Sequence, residues 1–151
     1  MEYVINTARD ALEALNYFNG FHDGFIKKLT IASHDEFKNK DEQICTGELG
    51  LAIVFAHYNY QNGERPYNQM IEATFNGVKD LMISFSGNSY EWSVNDLVIS
   101  ETRRMGEDGK DELCLRALIA QPRLENGREW VLHNDLSFTF RSCLLREVGA
   151  V

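Results

Sequence analysis

Apolar residues at every second position dominate this chain, while helical spacing occurs once. Leu49, Leu51, Ile53 and Phe55 alternate, as do Leu81, Ile83 and Phe85, and Leu113, Leu115, Ala117 and Ile119. The cleanest set is Trp130, Leu132, Leu136, Phe138 and Phe140, every member at an even position. A period of two is that of a strand with one face in a core. Against these stands one segment in which Ala8, Ala11, Leu12, Leu15 and Phe18 recur at helical spacing. Parallel strands need a crossover connection for each pair, usually a helix. One helix among many strands therefore excludes a βαβ fold. The pattern predicts a single α+β domain over residues 1–151. One N-terminal helix, near residues 7–18, packs on a predominantly antiparallel, curved sheet of six to eight strands, shaped as a sandwich or an open barrel.

Local signals sharpen this outline. Thr7 followed by Asp10 makes a capping-box start, and Asn19–Gly20 supplies a stop with Gly20 suited to a left-handed position. Phe25, Leu29 and Ile31 mark a first strand whose parity Lys27 interrupts. A long strand runs from Cys45 to Tyr60. Asn62–Gly63 and Asn126–Gly127 read as hairpin turns, and a bulge is expected near Asn95–Asp96. "RRMGEDGKDE", residues 103–112, reads as a turn-rich connector, and Pro122 belongs at an edge or a bend.

Composition narrows the function classes. Fifteen basic residues against 23 acidic ones give a net charge of -8. Nucleic-acid binding rests on Lys and Arg neutralising phosphates, so no nucleic-acid partner is expected. The first eighteen residues lack the charged and apolar regions of a signal peptide, and the longest apolar run, 49–56, is far too short for a bilayer span. No membrane association is expected. Three cysteines in separate segments, without a C-x-x-C, read as reduced thiols of a cytoplasmic protein.

Candidate chemistry centres on "FNGFHDGFIKKLTIASHDEF", residues 18–37, which holds His-Asp twice. Twelve extended steps of about 3.3 Å separate His22 from His34 by about 40 Å, whereas ligands to one metal stand about 2 Å from it. The pairs thus cap opposite ends of one strand. His22–Asp23 falls where the helix must give way to the strand, and Asp23 is expected to accept amide hydrogens there. His57 shares the parity of the core residues ahead of it, and Tyr58 and Tyr60 follow at the strand end, where amphipathic rings make contacts. His22, Asp23, His57, Tyr58 and Tyr60 are the candidate ligand- or partner-binding residues. No nucleophile, metal-ligand or phosphate-loop pattern stands out, so no catalytic residue, metal or cofactor is assigned.

Phe21-His22-Asp23 entering the first strand, and Phe75-x-Gly77-Val78 closing a later one, resemble features of a loose group of small bacterial β-rich proteins. Some of these are similar to the immunity proteins of polymorphic toxin systems. The resemblance covers the first half of the chain and implies a compact β-rich fold with a non-enzymatic binding role. With the acidic balance, the expected function is an interaction domain for a basic protein partner. The alternative is a small-molecule-binding protein or enzyme with a pocket between sheet and helix, using His22, Asp23 and His57. A homodimer joined through a strand edge or sheet face is a further expectation.

Overall fold

The computed structural model describes the backbone of residues 2–59, 67–84, 93–94, 96–125 and 129–150, and the side chains of these except residues 59, 67, 121–125, 129–135 and 150. Tyr60, both Asn-Gly turns and the expected Asn95 bulge lie wholly or partly outside this set. A strand, β1 (Glu2–Ile5), precedes the helix α1 (Ala8–Phe18). Ten more strands follow: β2 (Gly24–Ser33), β3 (Glu36–Asn39), β4 (Glu42–Ile44), β5 (Leu49–Asn59), β6 (Tyr67–Ile83), β7 (Ser93–Val94), β8 (Asp96–Met105), β9 (Asp111–Glu125), β10 (Glu129–Phe140) and β11 (Ser142–Ala150). The expected six to eight strands were too few. β1 is short, the β3–β4 hairpin is exposed throughout, and neither carries an alternating signal.

The helix begins as its residues dictate. Thr7 Oγ1 accepts the Asp10 amide at 3.1 Å, and the Asp10 carboxylate accepts the amides of Asn6 and Thr7 at 3.0 and 2.9 Å. Its end is more unusual. Asn19, Gly20 and Phe21 all adopt left-handed backbone, with φ of 50°, 60° and 58°, and Asp23 does so again at 63°. For a non-glycine residue such backbone costs roughly 1–2 kcal/mol. Burying a phenylalanine contributes about 1.5–3 kcal/mol, and the turn delivers the Phe21 ring to full burial. There it stacks between Phe18 and Phe55, at centroid distances of 5.1 and 4.4 Å. The burial of this ring is of the same order as the strain at Phe21 itself.

All ladders among the described residues are antiparallel. The main sheet runs β7-β2-β5-β6-β10-β9-β8, with β11 between β6 and β1. β7 and β8 are separated by one residue in the chain yet stand at opposite ends of this order. The sheet is therefore strongly curved, though not closed. The curve concentrates in β6. As far as Asn76 it pairs with β11; from Lys79 onward β10 takes that place, and Gly77 (φ 66°) and Asp80 (φ 54°) make the bend. Alternation supplies the core: Leu51, Ile53, Phe55, Ile71, Ala73, Phe75, Ala117, Ile119, Leu136, Phe138 and Phe140 are buried. The helix adds Ala11, Ala14 and Phe18, lying against β1 and β8.

Several local readings need correction. In β2 the register shifts between Ile26 and Lys28, so Ile26 is buried while Phe25 and Ile31 are about half exposed. Residues 103–112 are not a loop: β8 continues to Met105 and β9 starts at Asp111, around a tight turn closed by the Gly106 amide on the Lys110 carbonyl at 2.7 Å. In β10 the ladder with β9 slips between Asn134 and Leu136; Leu136, Phe138 and Phe140 are buried as their parity predicts, and the side chains of Trp130 and Leu132 lie outside the described residues. Thr139 is as buried as Phe138, because it joins a polar cluster on the other face. Pro122 lies beyond Ala120, the last β9 residue that β8 reaches, so among the described residues β9 has a single strand neighbour there. No helix among the described residues is long and apolar enough to cross a membrane.

Candidate functional site

The two His-Asp pairs sit at opposite ends of β2, as the spacing predicts. Asp35 closes the far end, accepting the Thr46 amide at 2.8 Å. Among the described residues no group of His, Cys, Asp and Glu is arranged to hold a metal ion.

The near end is the richer one. His57 faces Gln69 across the β5–β6 ladder and donates from Nε2 to Gln69 Oε1 at 3.0 Å. Its ring meets the edges or faces of Phe18 and Phe21 at 5.5 and 5.1 Å. Burial pushes the His57 imidazole below its ordinary range, opposed by the Gln69 bond, which pulls it up. A neutral, packed imidazole of this kind shapes a wall. Outside it lies a small open concavity of about 160 Å³, lined by Asp23, Phe25, Ala56, His57, Tyr58 and Asn68. Three of the five candidate residues, Asp23, His57 and Tyr58, therefore converge. His22 does not line it: its Nε2 stands 3.5 Å from Asp23 Oδ1. The expectation that the Asp23 carboxylate binds local amides fails among the described residues. The side chain is 70% exposed, and it is the backbone of Asp23 that turns the chain.

A larger cavity, about 470 Å³, separates α1 from β8. It lies between helix and sheet, as expected, but His22, Asp23 and His57 are absent from its lining. Asn16, Asn19 and Asp96 provide its polar groups. Burial pushes the Asp96 carboxyl above the usual range, against the pull of His22 and the Leu97 amide. The sequence marked Asp96 only as part of a bulge. Its proximity to Gly20 depends on the curvature that brings β8 to the helix end.

The third polar centre was missed altogether. Arg104, with a side chain only 3% exposed, donates to Glu112 Oε1 at 2.7 Å, to the Gly77 carbonyl at 2.6 Å and to Thr139 Oγ1 at 3.1 Å. Glu48 faces its Nη2 at 3.8 Å and pairs with Arg141. In the sequence Arg104 was one of two arginines in an apparent connector. Its position at the bend of β6 makes it a structural clamp.

These features define a class, a one-helix antiparallel β protein with two concavities flanking the helix–strand junction. No family model, curated protein or solved structure matches the chain.

Proposed function

We propose that this chain is a non-enzymatic interaction domain that binds a basic protein partner, in the manner of an immunity protein. One observation carries the reading. In the concavity beside His57, an exposed carboxylate stands with two half-exposed aromatic rings, Phe25 and Tyr58. A carboxylate beside aromatic faces suits an ammonium or guanidinium head, which gains from both the charge and the ring quadrupoles. The net charge of -8 draws such a partner in. Amide and side-chain NMR shifts on titration with arginine amide test it. Shifts concentrated at Asp23, Phe25 and Tyr58, and reduced in Asp23→Asn, support the reading. Shifts spread over all carboxylates in proportion to exposure refute it.

A second reading, a small-molecule-binding protein, is favoured by the size of the cavity between α1 and β8. Its 470 Å³ falls within the roughly 300–1,000 Å³ of ligand pockets. Its polar groups are Asn16, Asn19 and Asp96 in place of the histidines.

A further inference from the structure

β8 ends the strand order, and along its far side no strand pairs with it among the described residues. Open edges invite pairing with other chains, and natural sheets guard them with brevity, bulges, lysines or prolines. The other open edges here carry such guards. β1 has four residues. β2 has a register shift and the consecutive Lys27 and Lys28. The part of β9 that β8 does not reach holds Pro122 and Arg123. β8 runs ten residues in unbroken register, from Asp96 opposite Ala120 to Met105 opposite Asp111, and its basic residues, Arg103 and Arg104, fall in its second half. Its first half, Asp96–Ser100, has no basic residue.

That half borders the larger cavity, with the helix end at Gly20 lying against Asp96 and Leu97. Four consecutive residues, Asp96 to Ile99, line it, so the strand presents its backbone edge as well as its side chains. The Leu97 amide donates to the Asp96 carboxylate, which satisfies it and turns it away from β9. Alternate residues of a strand share that direction, which places the Ile99 and Glu101 amides on the same open side. Across the cavity stand Leu12, 62% exposed, and Leu15 of α1. Asp96 is the one ionisable side chain among the described residues of the lining.

We propose that the open edge of β8 and the adjoining face of α1 accept an extended segment of the protein partner as an added strand, with a Lys or Arg of that segment at Asp96. The occupant follows from the groove. A bare backbone edge is satisfied by another extended backbone, alternate side chains of which fall into pockets beside it. Leu12, Leu15 and Ile99 receive an apolar side chain, and Asp96 calls for a cation. The inference rests on the protein-binding reading but assigns a surface separate from the Asp23 concavity.

The test is selection of a displayed library of linear dodecapeptides on the whole protein, followed by hydrogen exchange with the selected peptides. Expected are basic, β-branched peptides that slow exchange at the amides of Ile99 and Glu101. Asp96→Asn should weaken them by about tenfold. Glu101→Pro, which removes an outward amide at an exposed position, should abolish binding with an unchanged thermal melt. Peptides that protect the Asp23 region and ignore Glu101→Pro would overturn strand addition while leaving the protein-binding reading intact. Selection of acidic peptides alone, or of none, would overturn both. Butylamine shifting the Asp96 surroundings while no peptide is selected would make the groove a small-molecule site. Dimerisation lost in Glu101→Pro would give the edge to a second copy. Either result removes the proposal.

Discussion

Arg104 reaches out of β8 to donate a 2.6 Å hydrogen bond to the carbonyl of Gly77, the residue at which β6 bends. The bond ties the β8–β9–β10 part of the sheet to the part built on β5 and β11. Removing one member of a buried ionic cluster leaves its partners desolvated and uncompensated, at a cost of about 3–5 kcal/mol. Arg104→Ala should lower stability by that amount. Arg104→Lys should recover only part of it, because an ammonium cannot reach Glu112, Gly77 and Thr139 with the spread of a guanidinium. Urea midpoints of the two variants check this; near-wild-type stability for Arg104→Ala would refute the clamp.

Gly20 and Asp96 form a second coupled pair. A β-carbon on residue 20 would occupy the place of the Asp96 carboxylate, and the glycine has φ +60°. Gly20→Ala should cost about 1–2 kcal/mol from backbone strain alone, with more from the collision. Asp96→Ala should remove the second part, so a double-mutant cycle on chemical denaturation gives a non-zero coupling. Strict additivity would mean the contact is relieved without cost.

Asp23 should respond to backbone geometry. Its φ of 63° suits glycine, and its carboxylate is exposed. Asp23→Gly should leave stability unchanged or slightly raised, whereas Asp23→Ala should lower it by about 1 kcal/mol. Thermal melts of the pair decide the matter. Equal losses in both would restore a stabilising role for the carboxylate.

Acid should act in two stages. The folded His57 binds its proton less readily than the unfolded one, whose ordinary value is 6.5. Its contribution is complete above about pH 6.5 and is lost as the pH falls from there through the folded value. Glu112 is held below its ordinary 4.5, foremost by the hydrogen bond from Arg104, so its contribution is present above that value and lost below it. Melting temperature against pH should therefore fall twice on acidification, with the first fall missing in His57→Gln. A flat profile between pH 7 and 5 would refute the first stage.

Much of the architecture was legible because alternation and helical spacing report burial directly. Leu51, Ile53, Phe55 and His57 followed from parity, and the helix from Thr7, Asp10 and Gly20. Where parity broke, a register shift was responsible, as beside Lys27, or both faces of the sheet were covered, as at Thr139. The candidate site was legible in part: Asp23, His57 and Tyr58 lie close in sequence to one junction and meet there. Asp96 and Arg104 were not legible. Their surroundings come from residues 20, 48, 77 and 139, and only the curvature of the finished sheet assembles them.

β1 has consequences for how the chain is made. Its partner is β11, with Glu2 opposite Arg146 and Ile5 opposite Cys143. Contacts so far apart along the chain form late, because the loop between them must be closed first. On the ribosome, residues 2–5 emerge long before 143–146, and until then β1 has α1 to lie against but no strand to pair with. Among the described strands β1 is synthesised first, yet it can be paired only after β11 has emerged. Nascent chains arrested before residue 143 should expose it to chaperones and to aggregation, whatever the rest of the sheet has achieved.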